Sequence, residues 1–177
     1  MATPESHLVL TAVGPDRPGL VNRISALIHQ AGANLEDSRM AILGGEFALL
    51  VLVSGPEAAV AKVEQQASRL EAELGLKLLS KRTKAEVQRA FLPYGIRVSG
   101  VDRPGIVRAV ADVFERRAIN VASLESRVTY APDSGTPLFF LEAELEVPSE
   151  ASLSELRRAL TALSDEENLD VALEPSR

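Results

Sequence analysis

Cysteine is absent from the 177 residues of this chain, which excludes disulfides, thiolate metal sites and cysteine nucleophiles. Histidine is scarce, with only His7 and His29 present. No His-x-x-x-His or His-Glu-x-x-His spacing joins them, so neither a zinc enzyme nor a His-dependent triad is expected. Positive charge is also short. The 19 basic residues are outnumbered by 25 acidic ones, for a net charge of −6, which argues against a surface built to neutralise phosphates. The longest unbroken apolar run is Phe47 to Val53, far below the roughly 18 residues a membrane span needs. The first six residues lack the basic and apolar regions of a signal peptide. A soluble, cytoplasmic protein is expected, with no membrane partner and no direct nucleic-acid contact.

What is present is a globular composition, 46% hydrophobic and 25% charged. The length suits one medium domain or two small ones, and an internal repeat decides between them. Asp16-Arg17-Pro18-Gly19 recurs as Asp102-Arg103-Pro104-Gly105, an offset of 86 residues. Apolar positions continue at helical spacing after both copies. At the same offset Asn34-Leu35 is matched by Asn120-Val121, and Ser38-Arg39 is matched by Ser126-Arg127 two residues further on. A tetrapeptide alone recurs by chance. One followed by matched periodicity and a matched asparagine implies two homologous domains.

Both halves read in the order β-α-β-β-α-β. In the first, Leu8–Val13 is a short apolar strand, and Val21, Ile24, Leu27, Ile28 and Ala31 follow helical spacing up to Gly32. Leu35–Leu43 and Phe47–Val53 flank a Gly44-Gly45 hairpin. A second helix carries Val60, Val63, Ala67, Leu70 and Leu74 to Gly75, and a strand follows at Leu76–Leu79. The second half places strands near Ile96–Val101, Val121–Tyr130, Leu138–Val147 and Leu169–Leu173. This is the α+β, ferredoxin-like arrangement, an antiparallel sheet with both helices on one face. The expected boundaries are a first domain at 1–83, a charged linker at 84–91 and a second domain at 92–177.

The outer faces of the two sheets differ. Phe47–Val53 is apolar at both parities, so Ala48, Leu50 and Leu52 are expected to be covered, either by a neighbour or within their own domain. In the second half Glu142, Glu144 and Glu146 alternate with apolar residues, and that acidic stripe reads as solvated.

The repeated loop lies between a strand and a helix, where backbone N–H groups lack internal partners. Proline suits the first helical position, and the preceding aspartate suits a cap on the opening turn. Glycine lets a ligand approach the backbone, and a helix start favours an anion such as an amino-acid carboxylate. One reading is a helix cap with no ligand. The other is a binding loop, which the duplicated Asn34 and Asn120, able both to donate and to accept, support.

Val13 to Val21, with Ala33-Asn34-Leu35-Glu36-Asp37-Ser38-Arg39, resembles an ACT domain, and the second half repeats the pattern through Ala118-Ile119-Asn120-Val121. The tandem pair spans nearly the whole chain with no catalytic domain attached. Within that family Asp37-Ser38-Arg39-Met40-Ala41, Glu46-Phe47 and the overall layout look most like the glycine cleavage system repressors. The resemblance implies an amino acid, glycine or similar, held at an interface between domains. Carried onto this chain it implies Asp16, Pro18, Gly19, Leu20, Asn34 and Leu35 as ligand-binding residues. In the second copy it implies Asp102, Gly105, Ile106, Asn120 and Val121. In those repressors the second loop is usually degenerate, whereas Asp102-Arg103-Pro104-Gly105 is intact here. Either two sites are competent, or the chain is a related tandem protein with another partner.

Three other motifs carry less. Gly44-Gly45-Glu46-Phe47 resembles a cyclic-dinucleotide synthase signature but is a residue short, and a hairpin turn explains it. Gly14 to Gly19 has P-loop glycine spacing but lacks the Lys-Ser/Thr pair. Lys77, Lys81, Arg82, Lys84 and Arg89 form a basic stretch without interleaved aromatics, read as a solvated linker. His29 reads as a surface side chain on the first helix. The expectation is therefore a non-enzymatic, amino-acid-sensing regulator of transcription, working through a protein partner such as an activator. No catalytic residue, metal or cofactor is expected. The alternative is a regulatory subunit or interaction module of an amino-acid metabolic enzyme. The domains pair either within one chain or between two, so a homodimer is among the expected assemblies.

Overall fold

A computed structural model describes residues 5–84 and 90–176. The chain divides into two units, Met1–Val87 and Gln88–Arg177. In the first, β1 (Glu5–Pro15), α1 (Leu20–Ala31), β2 (Asn34–Leu43), β3 (Glu46–Pro56), α2 (Glu57–Leu74) and β4 (Lys77–Thr83) follow in order. The second repeats them as β5 (Phe91–Val101), α3 (Ile106–Glu115), β6 (Asn120–Tyr130), β7 (Pro137–Pro148), α4 (Leu153–Glu167) and β8 (Asp170–Pro175). The linker expected over 84–91 falls mostly outside the described residues, and β5 already begins at Phe91.

Each unit holds one antiparallel sheet, ordered β2-β3-β1-β4 in the first and β6-β7-β5-β8 in the second. The alternation of the sequence becomes the two faces of each sheet. Leu8, Leu10 and Ala12 of β1 join Phe47, Leu49, Val51 and Val53 of β3 in a core closed by Leu20, Ile24 and Ile28 of α1 and Val60 and Val63 of α2. The second core is built from the same positions, with Phe114 of α3 and Leu156 and Leu160 of α4 at its centre. Fully burying one such leucine contributes about 2 kcal/mol, and the helices are held mainly by these stripes.

Two backbone relationships shape the motif region. Gly14 lies where β1 passes the end of α2, and a Cβ there would stand 2.8 Å from Leu76 Cδ2. Gly100 repeats this against Leu169 Cδ2 at 2.7 Å. The glycine before each loop is thus required by packing. Both edge strands also carry a bulge at the same place, between Leu35 and Asp37 in β2 and between Val121 and Ser123 in β6.

The basic stretch is not a linker in its first part. Lys77 and Arg82 lie on β4 and pair with α2, Lys77 with Glu71 at 3.3 Å and Arg82 with Glu64 at 2.9 Å and Glu57 at 3.1 Å. Strand alternation turns Arg82 toward α2 with Leu78 and Ser80, whereas Lys77 lies on the other, exposed parity and reaches Glu71 from the start of the strand. Arg89 lies outside the described residues.

Candidate functional site

The helix after each repeated loop starts two residues later than the proline suggests. Gly19 is the N-cap of α1, at φ 93°, and Gly105 is the N-cap of α3, at φ 100°. Left-handed backbone of this kind suits glycine, and it turns the chain so that Pro18 stays outside the helix. Among the described residues no side chain caps either helix, so the capping role expected of Asp16 and Asp102 is not realised. What results is a helix start with no side-chain oxygen over its first turn, which leaves its partial positive charge available. Asp16, Pro18 and Gly19 are exposed, as is Gly105, and Asp102 is half-buried.

The loop is fastened from both sides. Asp16 N–H donates to the Gly45 carbonyl at 3.1 Å, in the β2–β3 turn, and Asp102 N–H donates to the Pro137 carbonyl at 2.9 Å. The arginine of the motif supplies the second tie. Arg17 Nη2 donates to the carbonyl of Leu74, the last residue of α2. Arg103 Nη2 donates to the carbonyl of Glu167, the last residue of α4, at 2.8 Å, and pairs with the Glu167 carboxylate. A cation at a helix C-terminus both satisfies an orphan carbonyl and complements the dipole. These arginines are positioning residues that sequence reasoning left without a role. The signal was available, because arginine occupies the same position in both copies.

Leu20 and Ile106 are each only 2% exposed, so they offer a ligand their backbone N–H and not their side chains. Leu35 and Val121 also pack against the cores. The polar chemistry facing outward is left to Asp16 and Asn34 in the first unit and to Asp102 and Asn120 in the second.

These residues are not brought together within a unit. Asn34 is level with Ser54 of β3 and His7 of β1, while Asp16 follows Pro15, eight residues further along β1. At roughly 3.3 Å per residue the loop and the start of β2 stand about 26 Å apart, at opposite ends of one sheet. The second unit repeats this: Asn120 is level with Glu146 and Pro93, and Asp102 follows Val101. There Asn120 Nδ2 already donates to Glu146 Oε2 at 2.7 Å.

The outer sheet faces differ much as their sequences do. In the first unit Ala48 and Leu52 are half-buried, but Leu50 is exposed beside Thr11 and Leu79, so the described residues of that unit leave Leu50 uncovered. In the second unit Glu142 and Glu144 are exposed. Arg97, opposite Glu142, pairs with Glu174 at 3.1 Å, and Arg127 lies over the Phe140 ring, 5.3 Å from its centre. His29 is exposed, as its helical position implies.

Comparison with known proteins matches residues 6–80 and residues 94–165 separately to the ACT domain. The glycine cleavage system transcriptional repressor of Escherichia coli is 33% identical over 166 residues, 93% of this chain and 87% of that protein, and the Shigella flexneri protein of the same name matches equally. Among solved structures, a protein of unknown role from Galdieria sulphuraria superposes with a TM-score of 0.81 at 30% identity, covering 98% of this chain and all of that one. A candidate glycine cleavage system transcriptional repressor superposes with a TM-score of 0.76 at 31% identity, covering 99% of both chains.

Proposed function

The chain belongs to the ACT-domain family, with one such domain in each half, and from that premise we propose a non-catalytic regulator that senses glycine or a similar small amino acid. It acts on transcription through contact with a protein partner. The observation that carries this reading is the similarity to glycine cleavage system repressors, which covers 93% of the chain and so reaches both domains.

The chemistry of the site supports it. An amino acid brings a carboxylate and an ammonium. The carboxylate suits the uncapped helix start behind Gly19, where backbone N–H groups and the dipole favour an anion. The ammonium suits the exposed carboxylate of Asp16 and the side-chain carbonyl of Asn34. Because Asn34 stands about 26 Å from the loop of its own domain, we place the complete site across a homodimer. One chain gives the loop and a second gives the start of β2. Glycine then favours the paired state only by the extra affinity it has for it. A net charge of −6 makes a protein surface a better target than nucleic acid.

Calorimetric titration of the full chain with free amino acids tests the reading. Saturable binding of glycine or another small amino acid supports it. Absence of heat for every amino acid at millimolar concentration abandons it.

A further inference from the structure

We propose that Glu5, His7 and Glu36, gathered beside Ser54 of β3, form a binding site for one divalent transition-metal ion of the zinc type. Glu5 and His7 are two residues apart on β1 and so share a face. Glu36 is the extra residue of the β2 bulge, a device that re-aims a side chain. Strand β3 lies between β1 and β2, and its Ser54 is level with His7 on one side and Asn34 on the other. His7 and Glu36 therefore reach towards each other across Ser54, and Nε2 stands 3.8 Å from Oε2. The donor atoms of all three side chains lie within 4.8 Å of one another. Among the described residues no other three such groups converge in this way.

The serine points independently to a ligand. It is 1% exposed, and its Oγ has no hydrogen-bond partner among the described residues. A hydroxyl taken out of water without a partner is costly, and Ser54 stands directly across from His7, whose Nε2 is 3.8 Å from Glu36 Oε2. A metal ion held there, or a water bound to it, would give the hydroxyl its partner. The surroundings are half dry, with the side chains of His7 and Glu36 10% and 34% exposed.

The donor set fits such an ion. One imidazole nitrogen and two carboxylates suit zinc, manganese or cobalt and offset a double charge. Bonds of about 2.0–2.2 Å hold ligand atoms roughly 3–4 Å apart, so only small side-chain rotations are needed. The fold does not demand the cluster. The second unit builds the same bulge, yet Phe91, Pro93 and Ala122 occupy the equivalent positions, and Glu146 stands where Ser54 would.

The test uses metal-stripped full-length protein titrated with zinc by calorimetry, and with cobalt by visible absorption. Wild type is expected to take one ion per chain and to melt at a higher temperature in zinc. His7→Gln and Glu36→Gln each weaken binding at least roughly tenfold and lose the zinc-dependent rise in melting temperature. His29→Gln, the other histidine, leaves both unchanged. Should His7→Gln fail to fold, Glu36→Gln at its more exposed position decides alone. Absence of binding by wild type, undiminished binding by a folded Glu36→Gln, or equal loss in His29→Gln would overturn the proposal.

Discussion

Asn120 Nδ2 donates to Glu146 Oε2 at 2.7 Å, whereas Asn34, its counterpart, is level with the small Ser54. The two asparagines are alike in sequence and unlike in availability. A ligand at Asn120 must displace an anionic acceptor, since hydrogen bonds to charged groups are the stronger ones.

The first domain is therefore expected to dominate binding. Asn34→Ala should weaken glycine binding about tenfold, or about 1.4 kcal/mol, and Asn120→Ala should change it far less. Calorimetry on the two variants checks this, and equal losses would count against it.

Arg17 holds the Asp16–Gly19 loop to the last carbonyl of α2. Arg17→Ala should cost about 1 kcal/mol of stability and weaken the amino acid further by loosening the loop. Urea unfolding reads the first effect and calorimetry the second. Arg17→Lys should recover only part of both, because a point charge does not replace a planar fork.

Gly14 is held to glycine by Leu76 rather than by a ligand. Gly14→Ala brings a Cβ to 2.8 Å from Leu76 Cδ2 and should destabilise the first domain by about 1–3 kcal/mol. The Gly14→Ala/Leu76→Ala double variant should lose less than the sum of the two single changes.

Acid should weaken the first domain. The Ser6 hydroxyl donating to Glu57, aided by Arg82, lowers its pKa. The backbone N–H of Leu78, aided by Lys77, lowers that of Glu71. A carboxyl group that binds its proton less readily when folded stabilises fully above the unfolded range, about pH 4.3. The contribution is lost as pH falls through the lower, folded value. Thermal melts between pH 6 and pH 3 should slope downward, and Glu57→Gln/Glu71→Gln should flatten that slope.

Much of this architecture is legible in the chain. The 86-residue offset gives two domains, strand alternation gives the core faces, and Gly44-Gly45 gives the hairpin. The site is legible only in pieces. Asn34 follows Asp16 by eighteen positions, but α1 runs back along the sheet and delivers Asn34 to the far end. Pro18 and Asp16 read as a cap because the left-handed turn at Gly19, which moves the helix start, is a matter of backbone geometry. The repeat marks Arg17, but its partner is a carbonyl on α2, which no side-chain pattern reports. Glu5, His7 and Glu36 meet only through a bulge and an intervening strand.

The central claim is that the amino acid lies between the loop of one chain and the strand start of another. Asp16→Ala and Asn34→Ala each remove one half of that site. Mixed and allowed to exchange, the two variants form dimers in which one site carries both changes and the other carries neither. Glycine titration of the mixture should then recover about a quarter of the wild-type sites at wild-type affinity. Binding in the mixture no better than in either variant alone would contradict the account.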